Sequence, residues 1–184
     1  MERSPLQYKL ALCAGLLTVA ANHIAAADSG KLGLGSPLSA DALKPFDIDV
    51  RADGAGLPPG HGTVKEGEAV FAQNCAACHG AGGEHPISAS IRLTGGKGTL
   101  TTPNAVQTVG SYWPYATTLY DYIHRAMPFN APQSLSPDQV YAVTAYVLHL
   151  NGILPKDATM DAASLPKVQM PNRDGFIPAY PASK

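Results

Sequence analysis

Cys75-Ala76-Ala77-Cys78-His79 sets two thiols three positions apart, with an imidazole directly after the second. Two intervening residues let the chain make one turn, so both sulfurs can reach the two vinyl groups of a single porphyrin. His79 then points at the iron from the same side. This is the attachment pattern of a c-type haem. Two other uses of such a pair compete with this one. A disulfide suits an oxidising compartment, but leaves the adjoining His without a role. A zinc half-site needs a second pair of ligands, and the remaining cysteine, Cys13, stands alone in the first 27 residues.

Those 27 residues read as a secretion signal. Arg3 and Lys9 make a basic start, Leu10 to Ala21 is apolar, and Ala25-Ala26-Ala27 offers small residues for cleavage. The apolar run is shorter than the roughly 20 residues of a permanent span. Leu12, bulky where a small residue is wanted, argues against lipid attachment at Cys13. The mature chain is thus expected outside the cytoplasm, in the periplasm, with no permanent membrane span and with Cys75 and Cys78 as its remaining thiols.

Composition agrees with a cofactor-filled domain. A chain of 184 residues fits one domain with extensions. It holds 18 glycines and 16 prolines, so side chains alone would fill a core poorly. A net charge of −1 excludes nucleic acid as an expected partner.

Three helices are expected around the motif. Thr63 and Glu66 form a capping-box pair, followed by Val64, Gly67, Val70 and Phe71 at helical spacing. A second helix should run from about Pro114 to Ala126, with Ser111 as its cap, and should stop at Met127-Pro128. Ser136, Pro137 and Gln139 open a third, which carries Val140, Val143, Val147 and Leu150 and closes at Asn151-Gly152. Residues 80–110, rich in Gly and Thr, read as a loop wrapping one side of the cofactor. The expected organisation is therefore a signal over 1–27, an arm over 28–62, a haem domain over 63–152 and a Pro-rich tail over 153–184. The expected fold class is all-α, three main helices around one covalent haem, with irregular arm and tail.

Iron held by His79 needs a sixth ligand. Candidates are Met127, Met160, Met170, His85, His124 and His149. Met127 stands at a helix end before a proline, where a side chain can be aimed across the haem. A thioether there favours ferrous iron and raises the potential. Met160 and Met170 read as apolar anchors of the tail and His124 as a surface residue. His149 near a helix C-terminus reads as solvated. His85 is too close to His79 in sequence to cross the porphyrin. A backbone carbonyl near Pro86 is the candidate acceptor for the other His79 nitrogen. Tyr112, Trp113, Arg92 and Arg125 are candidates to meet the haem edge or its propionates.

The chain resembles the class I c-type cytochromes. Gly67, Phe71 and Tyr146 match that family's crossing of first and last helices. Val109–Ile123, Arg125–Leu135, Asp47–Arg51 and Met170–Phe176 resemble more narrowly the cytochrome subunits of periplasmic sulfite and sulfane (Sox-type) dehydrogenases. The resemblance implies thioethers at Cys75 and Cys78, and His79 and Met127 as axial ligands. It implies a molybdenum-containing sulfur-compound dehydrogenase subunit as electron donor, with a downstream cytochrome or oxidase receiving the electrons. Some Sox-type subunits carry a second haem domain, whereas this chain has one motif. A free-standing electron shuttle, and a haem enzyme or gas sensor with an open distal site, therefore stay as alternatives. No distal acid–base pair of the kind a peroxidase needs is evident.

Overall fold

The computed structural model describes residues 34–86 and 92–177. The expected signal, residues 1–27, lies outside them. The chain divides into two units, Met1–Leu43 and Lys44–Lys184. In the first, the described residues hold one helical turn, α1 (Ala40–Leu43), opened by the Ser39 hydroxyl, which accepts the Ala42 N–H at 3.2 Å.

The second unit contains strand β1 (His61–Thr63), helices α2 (Val64–Asn74), α3 (Ala76–His79), α4 (Ala116–Ala126) and α5 (Pro137–Leu150), strand β2 (Thr159–Asp161) and a 3₁₀ turn at Leu165–Lys167. Among its described residues helices dominate, in keeping with the all-α expectation, and the two strands are three residues each. The two strands pair antiparallel, with Gly62 opposite Met160.

Both capping boxes form. Thr63 accepts the Glu66 N–H at 3.1 Å while Glu66 accepts the Thr63 N–H at 2.8 Å. Ser136 and Gln139 repeat the arrangement at α5, with Pro137 in the first turn. Asn151 caps the far end, and Gly152 at φ +67° takes the left-handed turn that glycine adopts without penalty. Helix α4 begins two residues later than expected and without a side-chain cap. Ser111 instead accepts the Thr108 N–H (2.8 Å) and donates to the Val106 carbonyl (2.7 Å). The residue at the N-cap is Tyr115, whose backbone is extended (φ −135°, ψ 134°).

Helices α2 and α5 cross where Gly67 meets Ala142. A Cβ at Gly67 would run into the Ala142 carbonyl and lie 2.8 Å from the Tyr146 Cβ. That close approach lets Phe71 and Tyr146 pack with ring centroids 5.4 Å apart. The core continues through Leu119, Tyr120 and Ile123 of α4 and Val140, Tyr141, Val143, Val147 and Leu148 of α5.

The flanking segments close over this core. Met160, Leu165, Val168 and Met170 are buried in it. On the other side Val50 is buried, its N–H accepted by Asp121 Oδ1 at 2.8 Å, and Tyr141 donates its hydroxyl to the Pro58 carbonyl at 2.9 Å. Among the described residues no helix is long and apolar enough to cross a membrane.

Candidate haem site

The attachment motif is a second turn of helix set against the end of the first. Cys75 caps α2, donating its N–H to the Phe71 carbonyl at 2.9 Å, but its ψ of −37° and φ of −124° break the helix there. The chain rewinds at once as α3. The Cys75 carbonyl accepts the N–H of Cys78 (3.1 Å) and of His79 (2.9 Å), so one oxygen organises both downstream groups. Gly80, at φ +77°, then turns the chain away under the His85 carbonyl, where a Cβ would collide.

Along this turn Cys75 is half-buried, Cys78 exposed and His79 half-buried. Neither Cys75 nor Cys78 is in a disulfide. Burial pushes the Cys75 thiol up to about 11, with Cys78 adding to the effect.

Met127 stands where α4 stops. Its N–H donates to the Ile123 carbonyl at 3.0 Å while its backbone turns extended (φ −123°, ψ 146°). Met127 stays half-buried against the core, as do Cys75, Ala76, Leu93 and Trp113. Each packs inward on one side and leaves part of its apolar surface uncovered. Two thiols, an imidazole, a thioether and this incompletely covered apolar set form the donor chemistry that a covalently held haem requires. The residues present fit the group.

The other candidates find different work. Met160 and Met170 are buried anchors, as expected. His85 is exposed, 3.9 Å from the Glu84 carboxylate. His149 is half-buried and its Nδ1 lies 2.9 Å from the Leu154 carbonyl, which the Asn151-Gly152 turn folds back over the helix end. His124 is half-buried beside Tyr120, ring centroids 6.0 Å apart, and its Nδ1 has no hydrogen-bond partner among the described residues. Arg92 donates Nε to the Glu84 carbonyl at 2.8 Å. Arg125 grips the Asp121 carboxylate with two nitrogens, Nε at 3.0 Å.

Asp121 was not singled out in the sequence, where it is one acid among 14 Asp and Glu. It is 8% exposed and joins the N-terminal segment, through Val50, to the helix that carries Met127. The Tyr112–Tyr115 stretch is clamped from the other side. Asn172 donates Nδ2 to the Tyr112 carbonyl (2.7 Å), Phe176 meets the Tyr112 ring edge-on at 5.1 Å, and Arg173 lies 4.7 Å over the Tyr115 ring.

The family model of cytochrome c matches residues 64–151, from the first residue of α2 to the cap of α5. A chain in the crystal structure of the sulfane dehydrogenase SoxCD from Paracoccus pantotrophus is 46% identical over 80% of this chain and 72% of its own, with a TM-score of 0.76. The chain belongs to the cytochrome c family. Covalently bound haem c is accordingly this cytochrome's cofactor, and electron transfer is its kind of work. Haem c supplies a one-electron iron couple.

Proposed function

We propose that this cytochrome is a periplasmic mono-haem subunit that takes single electrons from a molybdenum enzyme oxidising sulfite or sulfane sulfur, and passes them to a downstream cytochrome or oxidase. Cys75 and Cys78 anchor the haem as thioethers, His79 is the proximal ligand and Met127 the distal one. The observation that carries this reading is the 46% identity to the sulfane dehydrogenase chain, which extends beyond the haem domain over 80% of the sequence. The sequence of residues 1–27 supports export.

The residues divide the task. Cys75 and Cys78 fix the cofactor to one turn of backbone, so its orientation relative to α2 is set by covalent bonds. His79 holds one side of the iron through the same turn. Met127 would hold the other side, where a thioether would exclude water and small ligands and favour the ferrous state. With both positions taken by His79 and Met127, the haem would supply a one-electron couple and no open site, so catalysis on the sulfur compound would fall to the partner.

The test is stopped-flow mixing of ferric holocytochrome with a molybdenum sulfane dehydrogenase subunit and its sulfur substrate. Stoichiometric reduction that requires both enzyme and substrate is expected. Persistence of the ferric spectrum when the enzyme is shown to be turning over with an artificial acceptor would refute the partnership.

A further inference from the structure

Helix α4 ends at Met127, and its directional ties come from outside the haem domain. Its apolar side packs through Leu119, Tyr120 and Ile123, all buried in the core. Such packing favours contact but specifies no direction. Two polar groups of the same helix add nothing to it, since Tyr120 Oη and His124 Nδ1 are buried with no hydrogen-bond partner among the described residues. The side-chain hydrogen bonds that leave α4 among those residues run instead to one short stretch. Asp121 Oδ1 accepts the Val50 N–H at 2.8 Å, and one turn earlier Thr117 donates its hydroxyl to the Ala52 carbonyl at 3.3 Å.

That stretch is closed into turns of its own. Arg51 donates its N–H to the Ala55 carbonyl (2.9 Å), and its carbonyl accepts the Gly54 N–H (3.0 Å). Gly56, at φ +92°, passes so near that a Cβ would strike the Asp49 carbonyl. A Cβ at Gly54 would meet the Pro166 ring, so the turn is also backed by the segment after β2. On the other side of the carboxylate, Arg125 reaches both Asp121 oxygens. Met127 follows two residues later, its N–H held by the Ile123 carbonyl at 3.0 Å.

We propose that Asp121, seconded by Thr117, positions the distal ligand: by joining the Val50 N–H to Arg125 it fixes the register of α4 and so the reach of Met127 toward the iron. This rests on Met127 as distal ligand. A buried carboxylate held by an amide and a guanidinium is the strongest directional tie this helix has. Losing it leaves both partners without their acceptor. A helix free to shift on an apolar bed would hold the thioether at the iron for less of the time, and a competing ligand would enter in proportion.

The test titrates ferric holocytochrome with imidazole, which must displace the methionine sulfur to bind, and follows the loss of the far-red sulfur–iron band. Asp121→Ala should bind imidazole at least about tenfold more tightly than the wild type, as the loss of a buried bond to a charged group implies. Asp121→Asn keeps an acceptor for the Val50 N–H and should recover most of the wild-type value. Ser136→Ala, at the cap of α5, weakens the fold elsewhere and should leave imidazole binding within about twofold of the wild type. That contrast separates positioning from general stability.

An imidazole affinity within about twofold of the wild type in Asp121→Ala would overturn the proposal, and so would an equal gain in Ser136→Ala. If Asp121→Ala yields no holoprotein, Thr117→Val decides. It removes the companion tie to Ala52 and should raise the affinity about threefold, whereas an unmoved value overturns the register claim. A wild type without the sulfur–iron band would refute Met127 as ligand and take the positioning claim with it. That outcome is told apart from an intact band whose displacement by imidazole ignores Asp121, which overturns the positioning claim alone.

Discussion

At the scale of single residues, the attachment motif was legible because it is a covalent requirement: two sulfurs and one imidazole on one turn admit few alternatives. Gly67 was legible for a steric reason, and the structure gives that reason an address in the Ala142 carbonyl and the Tyr146 Cβ. Gly67→Val should destabilise the holoprotein by about 3 kcal/mol, since backbone must yield where no flexible neighbour can. Urea unfolding followed by Soret absorbance measures it. His149 and Asp121 were not legible. Each takes its role from a backbone group that only folding brings to it, the Leu154 carbonyl turned back over the helix end and the Val50 N–H 71 positions away.

At the scale of elements, helix starts were readable where side chains make them and unreadable where backbone does. Thr63–Glu66 and Ser136–Gln139 announce α2 and α5, whereas α4 begins after Pro114 with no capping side chain. Ser136→Ala should cost about 1 kcal/mol, read as a lowered urea midpoint with unchanged slope. The Glu66 carboxyl is held below its ordinary range by the Thr63 N–H and then by the Thr63 hydroxyl. A depressed folded-state value means the stabilisation is complete above the ordinary glutamate range and is lost as pH falls through the folded value. Glu66→Gln should therefore flatten the acid limb of the stability profile below about pH 4.5 and leave its shape unaltered near neutrality. The short strands β1 and β2 escaped notice because three residues carry no alternation to read, and their pairing joins segments a hundred positions apart in sequence.

At the scale of the whole molecule, the described segments of the second unit that flank the haem domain are woven into it. The segment before β1 is tied down by Asp121 and Tyr141, and the segment after α5 contributes β2 and four buried apolar side chains. Low internal periodicity in these stretches marks chain that borrows its order from a core made elsewhere. Asp121→Ala should cost about 2 kcal/mol, because it leaves a buried N–H and a guanidinium without their acceptor. It should also speed amide exchange at Val50 ahead of global unfolding. Everything in the functional account converges on an iron closed by His79 and Met127. The most direct measurement is the near-infrared magnetic circular dichroism of ferric holocytochrome, which distinguishes axial ligand pairs. The account predicts a low-spin histidine–methionine signature that is lost in Met127→Ala together with the gain of carbon monoxide binding in the ferrous state. A bis-histidine or high-spin signature in the wild type, or one untouched by Met127→Ala, would contradict it.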